Sequence, residues 1–143
     1  MPVPGPAAQA YAALLRAADA LRDDYAEALA PVELTPTQYE VLRLLRDAGQ
    51  HGLPCGDLGR RLLAREPDVT RLLDRLDRRG LVRRERDEDD RRVVRARLTA
   101  EGQRVVGSLD RHLADLHERQ FAVLGEARLK QLVAMLEAVR TLR

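Results

Sequence analysis

One stretch, residues 55–98, constrains the fold more than any other, because the spacing of its apolar residues changes within it. Two short segments at about 55–63 and 67–79 repeat apolar residues at helical spacing. Two shorter runs, 81–86 and 93–98, then flank a charged stretch, which indicates a two-stranded hairpin with a charged tip. Two short helices followed by a hairpin predict a winged helix-turn-helix.

Longer amphipathic helices flank this segment. The predicted fold is mainly α with a small β-hairpin wing, in a single domain covering residues 1–143. Its winged helix-turn-helix lobe is expected at about 34–99. Apolar stripes recur in the flanking helices, at about 7–30 and 100–143, and need a partner surface. A second copy of the chain would cover them, so we expect N- and C-terminal dimerisation helices and a homodimer.

Net charge is uneven along the chain. The total is +2, but residues 60–97 alone carry 14 arginines and 9 acids, a net of +5. The residues before them carry a net of −4 and those after them a net of +1. A basic middle segment between ends of lower net charge indicates that an anionic partner binds this middle segment, and nucleic acid is the first candidate.

The second short helix offers candidate base contacts. In a helix-turn-helix this element lies in the major groove, and its N-terminal residues meet base edges. Arg71 and Arg75 carry a planar guanidinium that matches guanine or two phosphate oxygens. Asp68 could accept from a cytosine amino group, and Thr70 could contact phosphate or a thymine methyl group.

An ordinary solvated helix is the alternative for the same residues. Asp74 and Asp77 could pair at helical spacing with the arginines of their own helix, namely Arg71, Arg75 or Arg78. The arginines would then be occupied within the helix.

The hairpin tip favours the DNA-binding interpretation. Arg91 or Arg92 could enter the narrow, electronegative minor groove, and Asp90 could hold either one extended through a charge-assisted hydrogen bond. A magnesium or calcium site is the alternative for the acids of this tip. It is disfavoured because the acids are adjacent in one loop, with no glycine turn and with arginines on both sides.

The segment PDVTRLLDRLDRRGLVRRERDEDDRRVVRARLTAEG resembles the winged-helix core of the MarR family of bacterial transcriptional regulators. The resemblance implies a homodimer on double-stranded DNA with a pseudo-palindromic operator. It also implies repression that a small phenolic or aromatic-acid effector relieves. Family DNA contacts carry over to Asp68, Thr70, Arg71, Arg75, Asp90, Arg91 and Arg92.

Sensing residues are harder to assign. The resemblance suggests an effector crevice near Tyr11, Arg16, Tyr39 and His51. For the two tyrosines we favour the alternative, a position in the core or at the dimer interface. Cys55 begins the third predicted helix, and a helix N-terminus lowers a thiol pKa, so a redox role is a further alternative. His112 and His117 are five residues apart and make a weak zinc pair.

Other classes have little support in the sequence. No membrane span, signal peptide, cofactor motif, metal-ligand set or catalytic constellation is evident, so we expect a cytoplasmic protein that is not an enzyme. Two rival hypotheses remain: a protein-interaction module that has lost DNA binding, and a metal-dependent nuclease using Asp87 and Asp89.

Overall fold

The computed structural model describes residues 2–63 and 65–142. Its α-helices are α1 (Pro6–Leu29), α2 (Pro36–Ala48), α3 (Cys55–Arg61), α4 (Val69–Arg78), α5 (Ala100–Phe121) and α6 (Gly125–Thr141). Its strands are β1 (Leu53–Pro54), β2 (Val82–Arg86) and β3 (Val94–Leu98). One-turn 3-10 helices at Ala30–Val32 and Gly49–His51 follow α1 and α2. This order confirms the predicted winged helix-turn-helix between long flanking helices.

Side-chain caps determine where several helices begin. Thr35 Oγ1 accepts from Gln38 N at 3.2 Å while Gln38 Oε1 accepts from Thr35 N, which forms a reciprocal capping box. Thr99 caps α5 by accepting from Gly102 N at 3.1 Å. Asp68 caps α4 in the same way, so that helix begins at Val69 instead of Pro67.

The three strands form an antiparallel sheet in the order β1-β3-β2. Strands β2 and β3 are the predicted hairpin, with Arg84 opposite Ala96. Strand β1 has no counterpart among the elements that the sequence predicts. Two residues are too few to show an alternating pattern. Gly52, with φ +62°, allows this strand to approach β3, because a Cβ there would overlap the carbonyl of Ala96.

The chain divides into two compact units, one ending at Asp110 and one starting at Arg111, and α5 contributes to both. Leucine and valine side chains from the end of α1, from α2, α3 and α4, from the sheet and from α5 fill the core of the first unit. Its fully buried members include Leu29, Val41, Leu42, Leu45, Leu58, Leu76, Val82 and Val106. Among the described residues, none of the helices combines the length and the hydrophobicity that crossing a bilayer requires.

Helices α1 and α6 leave most of their apolar residues exposed in the single chain. Leu29 is the buried residue of α1, while Leu14 and Leu15 are 43% and 48% exposed. On α6, Val133 and Val139 are 59% and 62% exposed. The single chain therefore leaves the stripes of α1 and α6 largely exposed, as the sequence predicts. The stripe of α5 is a correction, because the chain itself buries it: its members are at most 9% exposed, namely Val105, Val106, Leu109, Leu113 and Leu116.

Candidate nucleic-acid interface

Helix α4 packs on α3 through small and aliphatic residues. A Cβ built on Gly59 of α3 would lie 3.3 Å from Val69 Cγ2 at the start of α4. Leu72, Leu73 and Leu76 of α4 are buried. Because these residues occupy the inner face of α4, its polar residues lie on the opposite, accessible side.

The first turn of α4 is held by two carboxylates. Asp68 Oδ1 accepts from Arg71 N at 2.9 Å, and Glu66 Oε1 accepts from Asp68 N at 3.0 Å. Thr70 and Arg71 are exposed on this turn. The sequence placed Asp68 among the base contacts, and the structure adds a capping role that engages one of its two carboxylate oxygens.

Three arginines form a basic stripe along the accessible side of α4. Arg71, Arg75 and Arg78 are separated by four and three residues, which places them on one helix face. All three are exposed, and their guanidinium groups form no ion pair with any residue that the structure describes. The stripe is therefore available to an anionic partner.

The acids of α4 are occupied by the wing. Arg84 of β2 reaches Asp74 Oδ1 from Nη2 at 2.6 Å and donates from Nε to Asp77 Oδ2 at 3.2 Å. Burial opposes the charged form of Arg84, but its hydrogen bonds to both aspartates outweigh burial and raise the pKa of the guanidinium. The suggested pairing of Asp74 and Asp77 with arginines of their own helix is therefore wrong.

Sequence reasoning did not single out Arg84. The strand pattern contained a usable signal, because alternate residues of a strand lie on the same face. Val82, two residues before Arg84, is 1% exposed, so Arg84 also points towards the protein. Its side chain is 25% exposed, while that of the neighbouring Arg83 faces the other side of the sheet.

The wing tip carries a braced arginine. Arg92 donates to Asp90 from Nε at 3.0 Å, from Nη2 at 3.2 Å and from its backbone N–H at 3.1 Å. Its side chain is nevertheless 91% exposed. These bonds to Arg92 lower the pKa of the Asp90 carboxyl. Asp90 therefore holds Arg92, one of the two arginines that the sequence left open.

Arg91 occupies the other position at the tip. Its side chain is exposed and forms no ion pair within the described part of the chain, while its carbonyl accepts from Arg86 Nη1 at 2.8 Å. The hairpin closes behind it through Asp87 N donating to Val93 O and Val93 N donating to Asp90 O, both at 2.9 Å. The tip thus offers one braced and one unpaired cation.

The remaining wing acids do not converge on a metal position. Asp87 lies 3.6 Å from Arg95 Nε, and Glu85 accepts from Arg97 Nη2 at 2.9 Å. Within residues 2–63 and 65–142, no group of three or more histidine, cysteine or acidic side chains is arranged to hold a metal ion. Asp87 and Glu85 instead pair with arginines of β3.

The four candidate effector residues lie in different surroundings. Tyr11 and Arg16 are exposed on α1. Tyr39 is 4% exposed and packs edge-to-face on Tyr25, with ring centroids 5.9 Å apart. His51 is exposed in the turn before β1, and its carbonyl accepts from Arg95 at 3.4 Å. Of the favoured core or dimer-interface positions, Tyr39 therefore occupies the core, while Tyr11 is exposed in the single chain.

Cys55, His112 and His117 are the remaining candidates for sensing or metal binding. Cys55 is partly buried, and this burial raises the pKa of its thiol, although Arg84 acts in the opposite direction. The lowering expected at a helix N-terminus therefore does not dominate. His117 Nδ1 lies 3.1 Å from Gln120 Oε1 on the same helix.

Comparison with known proteins identifies the fold family. The model of the MarR family matches residues 34–94. The regulator FarR of Neisseria gonorrhoeae is 29% identical over 142 residues, which cover 97% of this chain and 96% of FarR.

Two solved structures extend the likeness along the chain. The crystal structure of a MarR transcription factor from Planctomyces limnophilus is 36% identical, with a TM-score of 0.73, over 96% of this chain and 99% of that one. The transcriptional repressor CouR, bound to a 23-mer DNA duplex, is 34% identical with a TM-score of 0.79, over 90% and 89% of the two chains. With the arginine stripe of α4 and an arginine-bearing wing, the chain belongs to the MarR family of DNA-binding transcription regulators, which are not enzymes.

Proposed function

We propose that this protein is a homodimeric repressor that binds a pseudo-palindromic operator and is released by a small-molecule effector. The observation that carries the proposal is the unpaired arginine stripe of α4 beside a wing whose arginine is braced by Asp90. Cations that their own protein does not neutralise are free to displace counterions from DNA phosphates. Such a regulator acts where the DNA is, in the cytoplasm of a bacterial cell.

Helix α4 is proposed to read the major groove. Thr70, Arg71 and Arg75 lie on its exposed N-terminal half, which is the part that meets base edges in helix-turn-helix proteins. Asp68 Oδ2 remains available to a cytosine amino group, since the cap uses Oδ1. Each good base contact contributes about 1–3 kcal/mol of discrimination.

The wing is proposed to enter the adjacent minor groove through Arg92. Holding a long side chain in one extended geometry before binding lowers the entropy lost on binding. Asp90 supplies this brace with two side-chain hydrogen bonds. Arg91, which lacks such a brace, is proposed to contact the phosphate backbone beside the groove.

A second copy of the chain is proposed to cover the apolar residues that α1 and α6 expose. Leu14 and Leu15 on α1 and Val133 and Val139 on α6 are between 43% and 62% exposed. Covering such side chains contributes roughly 25 cal/mol per Å² of apolar surface. Two chains would read two half-sites about one helical turn apart, which multiplies the discrimination of one lobe.

The effector is proposed to be a phenolic or aromatic acid that binds near Tyr11, Arg16, Tyr39 and His51. The exposed guanidinium of Arg16 is suited to a carboxylate, and the ring of Tyr11 to an aromatic face. Release needs a coupling of only about 1–3 kcal/mol between effector and DNA.

A mobility-shift assay with DNA from upstream of the gene tests the proposed function. We expect salt-sensitive binding that prefers this DNA to a scrambled duplex. The double variant Arg91→Ala, Arg92→Ala should weaken binding and leave the dimer intact. Absent DNA binding together with capture of a protein partner would instead select the interaction-module hypothesis, and magnesium-dependent cleavage that Asp87→Ala abolishes would select the nuclease.

A further inference from the structure

Arg84 connects the two elements that are proposed to contact DNA. It lies in the middle of β2, the first strand of the wing, and binds Asp74 and Asp77 on α4 at 2.6 and 3.2 Å. Two residues further along the same strand, Arg86 donates to the carbonyl of Arg91 at the wing tip. A chain of contacts therefore runs from the reading helix through β2 to the wing tip.

We propose that Arg84 is a positioning residue for DNA reading, which sets α4 against the wing and keeps two carboxylates away from the arginine stripe. The proposal rests on the proposed function. It assigns to Arg84 no contact with DNA, although this residue belongs to the basic middle of the sequence.

The spacing of Asp74 explains why its carboxylate must be occupied. Asp74 lies three residues after Arg71 and four residues before Arg78, and both separations allow side chains on a helix to pair. In the structure Asp74 is engaged by Arg84 instead, and both of those arginines remain unpaired. Without Arg84, Asp74 could take either arginine out of the stripe.

Asp77 contributes through its charge. No arginine of α4 lies three or four residues from it, so the helix itself offers no partner at favourable spacing. Released from Arg84, its carboxylate would add an unneutralised negative charge close to DNA phosphates. One guanidinium thus offsets two charges that oppose binding.

The chemistry of this position requires arginine. The planar guanidinium reaches one carboxylate from Nη2 and the other from Nε at the same time. A lysine ammonium would keep the positive charge but is a single point donor, without this fixed two-sided geometry. Arg84→Lys should therefore keep the net charge and lose part of the positioning.

A double-mutant cycle tests the proposal. Arg84→Gln is made in the natural chain and in the Asp74→Asn, Asp77→Asn background, and affinity is measured across a salt series with a duplex selected from a random pool. Arg83→Gln in both backgrounds is the matched control, because Arg83 is an exposed neighbour on β2 without an ion pair among the described residues. Arg84→Lys in both backgrounds replaces Arg84→Gln if the glutamine variant does not fold.

The two accounts of Arg84 predict different results. If Arg84 is a positioning residue, Arg84→Gln in the natural chain should weaken DNA binding about tenfold and flatten its salt dependence. In the asparagine background the same substitution should weaken binding by less than about threefold. An equal loss in both backgrounds would overturn the proposal and make Arg84 a direct phosphate contact. A loss of folded protein with an unchanged salt dependence would overturn it as well, because Arg84 would then only support the fold. If the natural chain binds no DNA, the proposed function fails first.

Discussion

Asp90 and Arg92 hold each other at the tip of the wing, with Nε to Oδ1 at 3.0 Å and Nη2 to Oδ2 at 3.2 Å. The pair lies in solvent, with the side chain of Arg92 91% exposed. An ion pair in this setting adds little to global stability. The pair instead fixes the orientation of the Arg92 side chain.

The pH dependence of this pair can be predicted. The bonds to Arg92 lower the pKa of Asp90, so their contribution to wing order is complete above the ordinary value and is lost as the pH falls through the lowered pKa. An NMR titration should find the carboxyl of Asp90 below its ordinary pKa, and Arg92→Ala should move it upward. Glu101, whose pKa is lowered by Arg104, is the control and should not change. An unmoved Asp90 would show that the pair does not form in solution.

Gly102 supplies a test of the junction between the wing and α5. A Cβ there would lie 2.6 Å from Leu98 Cδ1 and closer still to the carbonyl of Leu81. Gly102→Ala should therefore lower the free energy of unfolding by about 1–3 kcal/mol, as overpacking does. Urea or thermal unfolding measures the change.

Gly107 is the matched control in the same helix. A Cβ at this position meets nothing within 4 Å. Gly107→Ala should stabilise the protein by about 0.5–1 kcal/mol, because glycine is a poor helix former. If both alanine substitutions changed the free energy of unfolding equally, the close approach at Gly102 would not contribute to stability.

The arginine stripe of α4 predicts a graded loss of DNA affinity. If Arg71 or Arg75 contacts a base, its substitution by alanine should reduce the free energy of DNA binding by about 1–3 kcal/mol. If it contacts a phosphate, the substitution should lower the slope of log affinity against log salt concentration by about 1. Arg140→Ala serves as the control, since Arg140 pairs with Glu137 on α6 and lies outside the proposed surface. Equal effects of all three substitutions on anisotropy titrations would argue against the stripe.

The exposed valines of α6 predict the assembly state. Val133→Glu would place a charge where we propose that a second chain packs, and should raise the dimer dissociation constant more than about tenfold. Gln131→Glu adds the same charge at an exposed polar position of that helix and should leave the dimer intact. Sedimentation velocity distinguishes the two, and a Val133→Glu chain that stays dimeric would move the interface away from this residue.

Local patterns made most of the fold predictable. The capping box at Thr35 and Gln38 was readable because both residues act within one helical turn. The wing was readable from two short runs around a polar stretch. Strand β1 was not, because its two residues pair with β3 more than 40 positions away and carry no periodicity of their own.

The candidate site was only partly predictable for the same reason. Asp90 and Arg92 are two residues apart, so their pairing could be proposed from spacing. Arg84 binds acids seven and ten residues earlier, across a turn between helix and strand, and helical spacing pointed to the wrong partners. Tyr39 could not be located as an effector or core residue without knowing that Tyr25 packs on it.

Binding of one selected duplex and its scrambled counterpart across a salt series tests the central claim most directly. The account predicts that the selected duplex binds at least about 10³-fold more tightly, and that log affinity falls linearly with log salt concentration. Equal affinity for the two duplexes, or affinity that does not change with salt, would contradict sequence-specific reading of DNA by α4 and the wing.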